Sequence, residues 1–366
     1  MSVIRSTVAI TGMNAKPDNP GPGLAVARCL RESPHFQGRI IGLGYDALDP
    51  GLYLDDYCDA SYLLPYPSAG DEALLDQLDS IQQQEQIDIL LPCLDAELPG
   101  MVRLLPALKD MGFKTFLPTS DQLRLRNKDR LPELAELAGI SCPEIKSITQ
   151  AGFFYSCQEE GWSYPLVVKG LFYGAYIVHS ADEAADAFRH IAAEWGYPVL
   201  VQRVVKGEEY NLTAVGDGEG NLLAPVMMKK MAVTDKGKAW SGISIDDQPL
   251  LAASEALAKA IQWRGPLEVE VMRDQEGRYQ LIEINPRFPA WIYLSLGVGR
   301  NLPLVLLRLI LEQDLDDIPQ TQAGVLFIRY AQEQIVPLAE FEAVVMQGGR
   351  HIGAAKSAQS EMSKGE

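Results

Sequence analysis

The sequence predicts a mixed fold, with an α/β unit first and α+β units after it. Apolar strands alternate with helical patterns through residues 1–118, which is typical of a parallel sheet covered by helices. From residue 206 onwards the pattern changes to hairpins turned by Gly-containing loops. A length of 366 residues leaves room for two or three such units.

Composition and charge exclude several classes of protein. The chain is 47% hydrophobic and 22% charged, with a net charge of −17, so neither nucleic acid nor an anionic membrane is an expected partner. The five cysteines lack CxxC spacing and the four histidines form no cluster, which argues against a disulfide framework, a zinc site or a Cys-His nucleophile. No apolar run reaches the length of a membrane span, and the first residues lack a signal-peptide cleavage region, so we expect a cytoplasmic protein.

In the first unit, residues 1–118, the strands are predicted at STVAITG, GRIIGLGY and IDILLPCLD, with helices at GLAVARCLRES and DEALLDQLDSIQQQEQ. Ligands of such sheets bind beyond the carboxyl ends of the strands, which places the loop at residues 12–23 and the stretch PCLDAEL at a cleft. The loop lacks the G-x-G-x-x-G fingerprint of dinucleotide binding, so a substrate cleft is the better interpretation.

A second unit is predicted for residues 119–205. It begins with helices around Lys128, the second of which is closed by Gly139. Strands follow at YPLVVKG and AYIVHS, then a helix with Ser180 as N-cap and Glu183 three residues later, and then the strand YPVLVQRVV. Residues 206–347 form the third, hairpin-rich unit. The small, polar residues 348–366 are expected to be a disordered tail.

The most informative segment is the predicted hairpin PLEVEVMRDQEGRYQLIEIN. With DQEG as its turn, the predicted cross-strand pairs are Arg273 with Arg278, Glu270 with Leu281, and Glu268 with Glu283. Side chains alternate along strands, so these three glutamates and Asn285 project from one face. Like charges this close need a counter-ion, and hard oxygen ligands suit Mg²⁺. The alternative is a solvated face paired with arginines, with Arg287 as the partner of Glu283.

Basic residues appear at strand and helix ends upstream of this hairpin. Lys169 ends the apolar strand YPLVVK, Lys128 opens a helix, and LVQRVVKGEEY places Gln202 and Glu209 around a strand exit. With the hairpin, and in this order, these motifs resemble the ATP-grasp superfamily over residues 3–335. The similarity is greatest to its carbamoyl-phosphate-synthase-like and carboxylate–amine ligase branch.

The resemblance implies both a fold and a set of site residues. The implied fold is a Rossmann-like pre-ATP-grasp domain (1–118) followed by a two-subdomain ATP-grasp fold, with a lid subdomain at 119–205 and a metal-binding C-terminal subdomain at 206–347. The implied cofactors are ATP and Mg²⁺, with Mn²⁺ as a substitute. The residues that it implies are Arg287 and Lys169 for catalysis; Lys128, Lys169, Gln202, Arg203, Val204, Val205, Glu209, Lys230 and Ile282 for the nucleotide; and Glu270, Glu283 and Asn285 for the metal.

One departure concerns the loop after Lys169. The family has a Gly/Ser-rich loop there that covers the phosphates, whereas KGLFYGAYIV supplies two glycines and the bulky Phe172 and Tyr173. Lys229, Lys230 and the DKGK turn at 235–238 are an alternative source of positive charge, and a solvated basic turn is the other interpretation.

The resemblance implies a ligase that joins a carboxylate to an amine through an acyl phosphate and releases ADP and phosphate. The expected partners are small-molecule or peptide carboxylates and amines, and a homodimer is left open. Trp291 and Tyr293 are either an apolar wall for the substrate or core residues. Two alternatives are a bicarbonate-activating carboxylase or carbamoyl-phosphate-type subunit, and a nucleotide-binding regulator without turnover.

Overall fold

A computed structural model describes residues 2–171, 174–315 and 318–351 of the chain. The predicted alternation in the N-terminal part forms one sheet of order β15-β3-β2-β1-β4, in which β1 to β4 are parallel. Apolar side chains cover both faces of these strands: Val8 and Ile10 pack into one core, and Ala9 into another. The elements of this part are β1 (Val8–Ile10), α1 (Gly23–Arg31), β2 (Ile40–Gly44), β3 (Ala60–Leu63), α2 (Asp71–Glu85), β4 (Ile89–Leu91), α3 (Leu98–Arg103) and α4 (Leu105–Asp110), with 3₁₀ turns at Pro50–Tyr53 and Pro67–Ala69.

The fifth strand of this sheet comes from the other end of the chain. Strand β15 (Gly349–His351) pairs antiparallel with β3. Its Arg350 is buried and forms ion pairs with Asp55 and Glu340, because the guanidinium needs charged partners once it is removed from water. The expectation of a disordered tail from residue 348 is therefore wrong for residues 349–351, and its remainder lies outside the described residues.

The second unit contains a small antiparallel sheet of order β5-β8-β6-β7. Two connecting helices precede it, and the first begins with a capping box between Thr119 and Gln122. The predicted Ser180 cap is confirmed, since its side chain accepts a hydrogen bond from the Glu183 backbone N–H at 3.2 Å. The elements are α5 (Ser120–Leu125), α6 (Leu131–Ala138), β5 (Ile145–Ile148), α7 (Phe153–Ser156), a 3₁₀ turn at Cys157–Glu160, β6 (Leu166–Gly170), β7 (Ala175–Val178), α8 (Ala181–Trp195) and β8 (Val199–Arg203).

The third unit is built on a sheet of order β13-β12-β9-β10-β11-β14. Both predicted hairpins are present in it, as β9 with β10 and β12 with β13. The sequence interpretation did not identify β11, β14 or the helices after residue 292. The elements are β9 (Gly207–Asp217), β10 (Leu222–Val233), β11 (Ala239–Ile245), α9 (Gln248–Ile261), β12 (Arg264–Asp274), β13 (Tyr279–Asn285), α10 (Tyr293–Gly297), α11 (Leu302–Ile310), β14 (Leu326–Ile328) and α12 (Leu338–Gln347).

The N-terminal and third units share one hydrophobic core. Val26 and Leu30 of α1 belong to the same buried cluster as Phe288 and Leu307. This packing brings the loops at the carboxyl ends of β1 and β4 against the large sheet. In the described part of the chain no helix is long and apolar enough to cross a membrane. All five cysteines are free thiols.

Candidate active site

The carboxylate hairpin has a different register from the predicted one. Glu268 lies opposite Asn285, and Glu270 lies opposite Glu283. Two shifts cause this: the turn is one residue longer, so that Arg273 faces Tyr279, and a bulge lies between Glu270 and Val271. Together they move the register by two residues, which is the side-chain repeat of a strand, so the four polar side chains still share one face.

Glu268 is held entirely by protein donors. It is buried, and it accepts hydrogen bonds from Trp291 Nε1 at 2.6 Å, Asn211 Nδ2 at 2.8 Å and Asn285 Nδ2 at 2.9 Å. Burial, together with the neighbouring Glu270 carboxylate, raises the pKa of Glu268. Glu268 therefore acts as a structural anchor below the site, and its contact with Trp291 makes that residue part of the framework.

Glu270 and Glu283 are matched by lysines. Lys230 Nζ lies 2.9 Å from Glu270 Oε2 and 2.9 Å from Glu209 Oε2, and Lys128 Nζ lies 3.2 Å from Glu283 Oε1. Burial alone would raise the pKa of Glu270, but Lys230 and other nearby cations outweigh it and lower that pKa to about 2. Glu270 is therefore ionised at neutral pH, and two lysines supply the counter-charge that the sequence interpretation gave to a metal.

The predicted metal ligands offer oxygen donors of the kind that Mg²⁺ prefers. Asn285 Nδ2 also donates to Glu270 Oε1 at 2.9 Å, so its amide must rotate to turn its oxygen towards a cation. Among the described residues no three His, Cys, Asp or Glu side chains are arranged to hold a metal ion. The three predicted ligands therefore offer a divalent ion two carboxylates and one amide.

Lys169 faces this hairpin from the small sheet. Its side chain is buried and donates a hydrogen bond to Gln202 Oε1 on the neighbouring strand. Burial and the nearby Lys128 ammonium lower the pKa of Lys169 to about 8, and Glu283 opposes the shift. Two cations thus stand close together beside the carboxylate pair, an arrangement that an anion such as a polyphosphate would stabilise.

The strand that was predicted to lie against adenine contains one residue whose side chain is directed elsewhere. Arg203 Nε lies 2.7 Å from Glu144 Oε2, Arg203 Nη2 donates to Gly161 O at 3.0 Å, and the guanidinium lies over the Trp162 ring. Arg203 can therefore contact a nucleotide through its backbone only.

The other residues that were predicted to line adenine lie close to this strand exit and to the hairpin. Val204 and Val205 are half-buried where the chain passes from β8 to β9, and Ile282 is the residue at the β13 bulge. Phe172 and Tyr173, which the sequence interpretation singled out, lie outside the described residues.

A cleft of about 240 Å³ opens beside the hairpin, where the N-terminal unit meets the large sheet. Asn14 and Asn19 line it from the first loop and Asp95 from the stretch after β4, as predicted for the carboxyl ends of these strands. Lys230 and Lys238 line the opposite side. The loop is tied across the cleft, since Thr234 Oγ1 donates to Asp18 O at 3.0 Å.

Arg287 lies in this cleft with a partner that was not foreseen. Its Nε lies 2.8 Å from Asp95 Oδ2 and its Nη1 lies 3.5 Å from Glu268 Oε2, so the alternative interpretation, in which Arg287 pairs with Glu283, is wrong. Burial would lower the pKa of Arg287, but Asp95 and Glu268 raise it. Arg126 Nη1 lies 3.5 Å from Asp95 Oδ1. Asp95 therefore links the N-terminal unit to Arg287.

The position of Asp95 depends on a buried glutamate in the same loop. Glu97 accepts hydrogen bonds from the backbone N–H groups of Cys93 at 2.7 Å and Leu94 at 2.8 Å, and from the hydroxyls of Thr11 and Tyr45. Burial raises the pKa of Glu97. These bonds fix the turn that presents Asp95, and the sequence signal for it was the location of PCLDAEL after a parallel strand.

Three further cleft residues were not singled out from the sequence. Arg329 follows β14, a strand that was not predicted, and Asn14 and Asn19 belong to a loop that was identified only as a whole. Lys238 was named only within the DKGK turn. Lys229 is directed elsewhere, since its Nζ pairs with Glu208 at 2.6 Å.

Comparison with known proteins gives concordant matches. Residues 197–333 match the family model described as an ATP-grasp in the biosynthetic pathway with Ter operon. The carbamoyl phosphate synthase large chain of Clostridium botulinum (strain Alaska E43 / Type E3) is 25% identical over 240 residues, which cover 59% of this chain and 21% of that protein. The chain thus spans about a fifth of the length of this relative.

Solved structures with the same fold span nearly the whole chain. Biotin carboxylase from Campylobacter jejuni, in a complex with an ATP species, aligns with a TM-score of 0.67 at 16% identity over 88% of this chain and 74% of that one. The biotin carboxylase domain of 2-oxoglutarate carboxylase from Hydrogenobacter thermophilus, solved with magnesium ADP and bicarbonate, aligns with a TM-score of 0.65 at 14% identity. The alignment covers 85% of this chain and 71% of that one. L-amino acid ligase from Bacillus licheniformis aligns with a TM-score of 0.62 at 17% identity, over 85% of this chain and 75% of that one. These matches confirm the resemblance to the ATP-grasp superfamily that was predicted from the sequence, and the solved structures show that the chain shares their fold.

Proposed function

We propose that the chain is an ATP- and Mg²⁺-dependent ligase that joins a carboxylate to an amine through an acyl phosphate and releases ADP and phosphate. One observation carries this proposal. Two carboxylates pair with lysines beside a cleft that contains Arg287: Glu283 with Lys128, and Glu270 with Lys230. Lys169 lies close to Lys128 and Glu283. Cations on both sides of a carboxylate pair suit a metal-bound polyphosphate that faces an anionic substrate.

The nucleotide would bind between the small and the large sheet. Lys169 and Lys128 would contact its phosphates, and an anion there would favour the charged form of Lys169. The backbone of residues 202–205 would line adenine, with Ile282 beside it. Glu209, whose carboxylate is partly exposed and pairs with Lys230, would accept hydrogen bonds from the ribose hydroxyls.

Glu270, Glu283 and the amide oxygen of Asn285 would hold the divalent cation, which would neutralise charge on the β- and γ-phosphates. Glu270 is ionised at neutral pH and is ready to bind a cation without losing a proton. Lys230 would then be shared between Glu209 and the phosphates.

In the proposed reaction a carboxylate oxygen attacks the γ-phosphorus, and the bond from phosphorus to the β,γ-bridging oxygen breaks, which releases ADP. The amine nitrogen then attacks the acyl carbon, phosphate leaves with the bonding electrons, and the amine loses a proton to solvent. Arg287 would hold the acid and the transferred phosphoryl group, with its guanidinium oriented by Asp95. No side-chain nucleophile is needed.

The size of the cleft favours an organic acid over bicarbonate. Its volume of about 240 Å³ exceeds what an ion of one carbon and three oxygens can fill, and its walls carry several polar groups that such an ion would not reach. A regulator without turnover is not favoured by any contact in the site.

The test is to incubate the protein with ATP, Mg²⁺, pools of carboxylic acids and hydroxylamine, which traps acyl phosphates as hydroxamates. We expect acid-dependent ADP and phosphate, with hydroxamate in equal amount, and none of these from Lys169→Met. Stoichiometric AMP and pyrophosphate would refute the acyl-phosphate route. ATP turnover that no acid stimulates would refute the ligase.

A further inference from the structure

The charges that line the cleft do not all find partners inside the protein. Four cations face it, Lys230, Lys238, Arg287 and Arg329, together with three carboxylates, Asp95, Glu268 and Glu270. Those carboxylates are engaged by Arg287 and Lys230. Within the described residues, Lys238 and Arg329 have no carboxylate within ion-pair distance. Since the chain carries a net charge of −17, such a surplus of positive charge in one cleft is a local feature.

Arg329 has unused hydrogen-bonding capacity. It continues the pairing beside β11, with its N–H donating to Trp240 O at 2.8 Å. Its side chain donates from Nη2 to Ala290 O at 3.0 Å, and its Nε is buried without a partner. A guanidinium has five N–H donors, so most of them are left for a ligand. Burial lowers the pKa of Arg329, which is the sign of a charge that lacks a counter-ion.

Arg329 is anchored in the cleft independently of Arg287. Its anchor, Ala290, lies three residues beyond Arg287 along the chain, and both arginines line the same cleft. Arg287 already has two carboxylates, which fix it beside the hairpin. Lys238 belongs to the turn between β10 and β11, whose Thr234 contacts the N-terminal loop. Arg329 and Lys238 therefore line the same cleft as Arg287 but are held by other contacts, so they can bind a second group of an acid that Arg287 holds.

We propose that the acid substrate is a dianion, whose second anionic group binds Arg329 and Lys238 while Arg287 holds the carboxylate that is activated. This inference rests on the proposed ligase function and names the substrate class. The second group is a carboxylate or a phosphate, since both accept the paired N–H groups of a guanidinium. A volume of about 240 Å³ lies below the roughly 300 to 1,000 Å³ of drug-sized sites, which favours a small acid.

The experiment measures binding first, so that it does not depend on turnover. Calorimetry in the presence of a non-hydrolysable ATP analogue and Mg²⁺ compares succinate, glutarate and adipate with their monoamides, which are matched monoanions, and with phosphonate analogues. We expect at least one dianion to bind about 30-fold or more tightly than its monoamide. The phosphonate arm shows whether carboxylate or phosphate is preferred.

Arg329→Gln should reduce that preference to within about threefold, and Arg329→Lys should restore part of it. The matched control is Arg189→Gln on the exposed face of α8, where Arg189 pairs with Asp186. Equal affinities for dianions and monoamides, binding of no dianion, or an unchanged preference in Arg329→Gln would each overturn the proposal. Hydroxamate formation, measured separately, tests the ligase. A preference for dianions without hydroxamate would refute only the proposed function.

Discussion

The buried Lys169 should make the protein less stable than it would be without this charge. Its pKa is lowered from 10.5 to about 8, chiefly by burial and then by Lys128. The difference corresponds to about 3 kcal/mol at pH values below 8, where the folded protein holds a charge that the interior disfavours. Lys169→Met removes this penalty but also the hydrogen bond to Gln202, which is worth about 1 kcal/mol. We therefore expect the variant to be about 2 kcal/mol more stable at pH 7.

The pH dependence gives the sign of the effect. Because the folded-state pKa lies below the unfolded one, the unfolded chain binds more protons between pH 8 and 10.5, so the penalty declines as the pH rises through this window. The advantage of Lys169→Met should therefore fall to about zero near pH 10 and reverse at higher pH, where only the loss of the hydrogen bond to Gln202 remains. Urea unfolding of the wild type and the variant at pH 7 and pH 10 measures this difference in the free energy of unfolding. Lys259→Met, on the exposed face of α9, is the control. A variant that is less stable than the wild type at pH 7 would refute the reasoning.

The same lysine links nucleotide binding to protons. If phosphates restore its ordinary pKa, ATP binding at pH 8 should take up about half a proton, because half of the free protein is neutral at that position. Calorimetry in buffers with different ionisation enthalpies measures this uptake. Lys169→Met should show no such uptake, and an equal value in both proteins would mean that another group titrates.

Three further predictions concern residues around the reacting centre. Glu283→Gln should abolish the Mg²⁺-dependent part of the thermal stabilisation by ATP, and equal stabilisation of both proteins would remove the metal assignment. Arg287→Lys should lower turnover by a few hundredfold, which corresponds to a barrier higher by about 3 to 4 kcal/mol, while ATP affinity stays within a few-fold of the wild-type value. If the variant instead loses thermal stability and ATP affinity together, Arg287 has only a structural role. Asp95→Asn keeps a hydrogen-bond acceptor for Arg287 but removes the negative charge, so kcat should fall about tenfold to a hundredfold while KM for ATP is retained. An unchanged kcat would show that Arg287 is oriented without the Asp95 charge.

Local patterns predicted most of the described strands, the Ser180 cap and the shared face of the hairpin, because each depends on neighbours along the chain. The cross-strand register of the carboxylate hairpin was not predicted correctly from the sequence. The bulge between Glu270 and Val271 leaves no mark in the alternation of polar and apolar residues, and only its combination with the longer turn kept the side chains on one face. Asp95 reaches the site through a contact between the first and third units, and Arg329 through a contact within the third unit. Their partners are distant in sequence, so periodicity carries no signal for them.

The pairing of β15 with β3 has a consequence for biogenesis. Tyr62 of β3 lies 3.0 Å from His351, a residue 289 positions later in the chain. A nascent N-terminal unit therefore emerges from the ribosome with one sheet edge exposed, and that edge stays exposed until residues 349–351 have been synthesised. A fragment ending at residue 118 would keep this edge open permanently and expose apolar surface that α10 and α11 cover. Such a fragment would be prone to associate with itself, whereas a chain that includes Gly349–His351 covers this edge with its own strand.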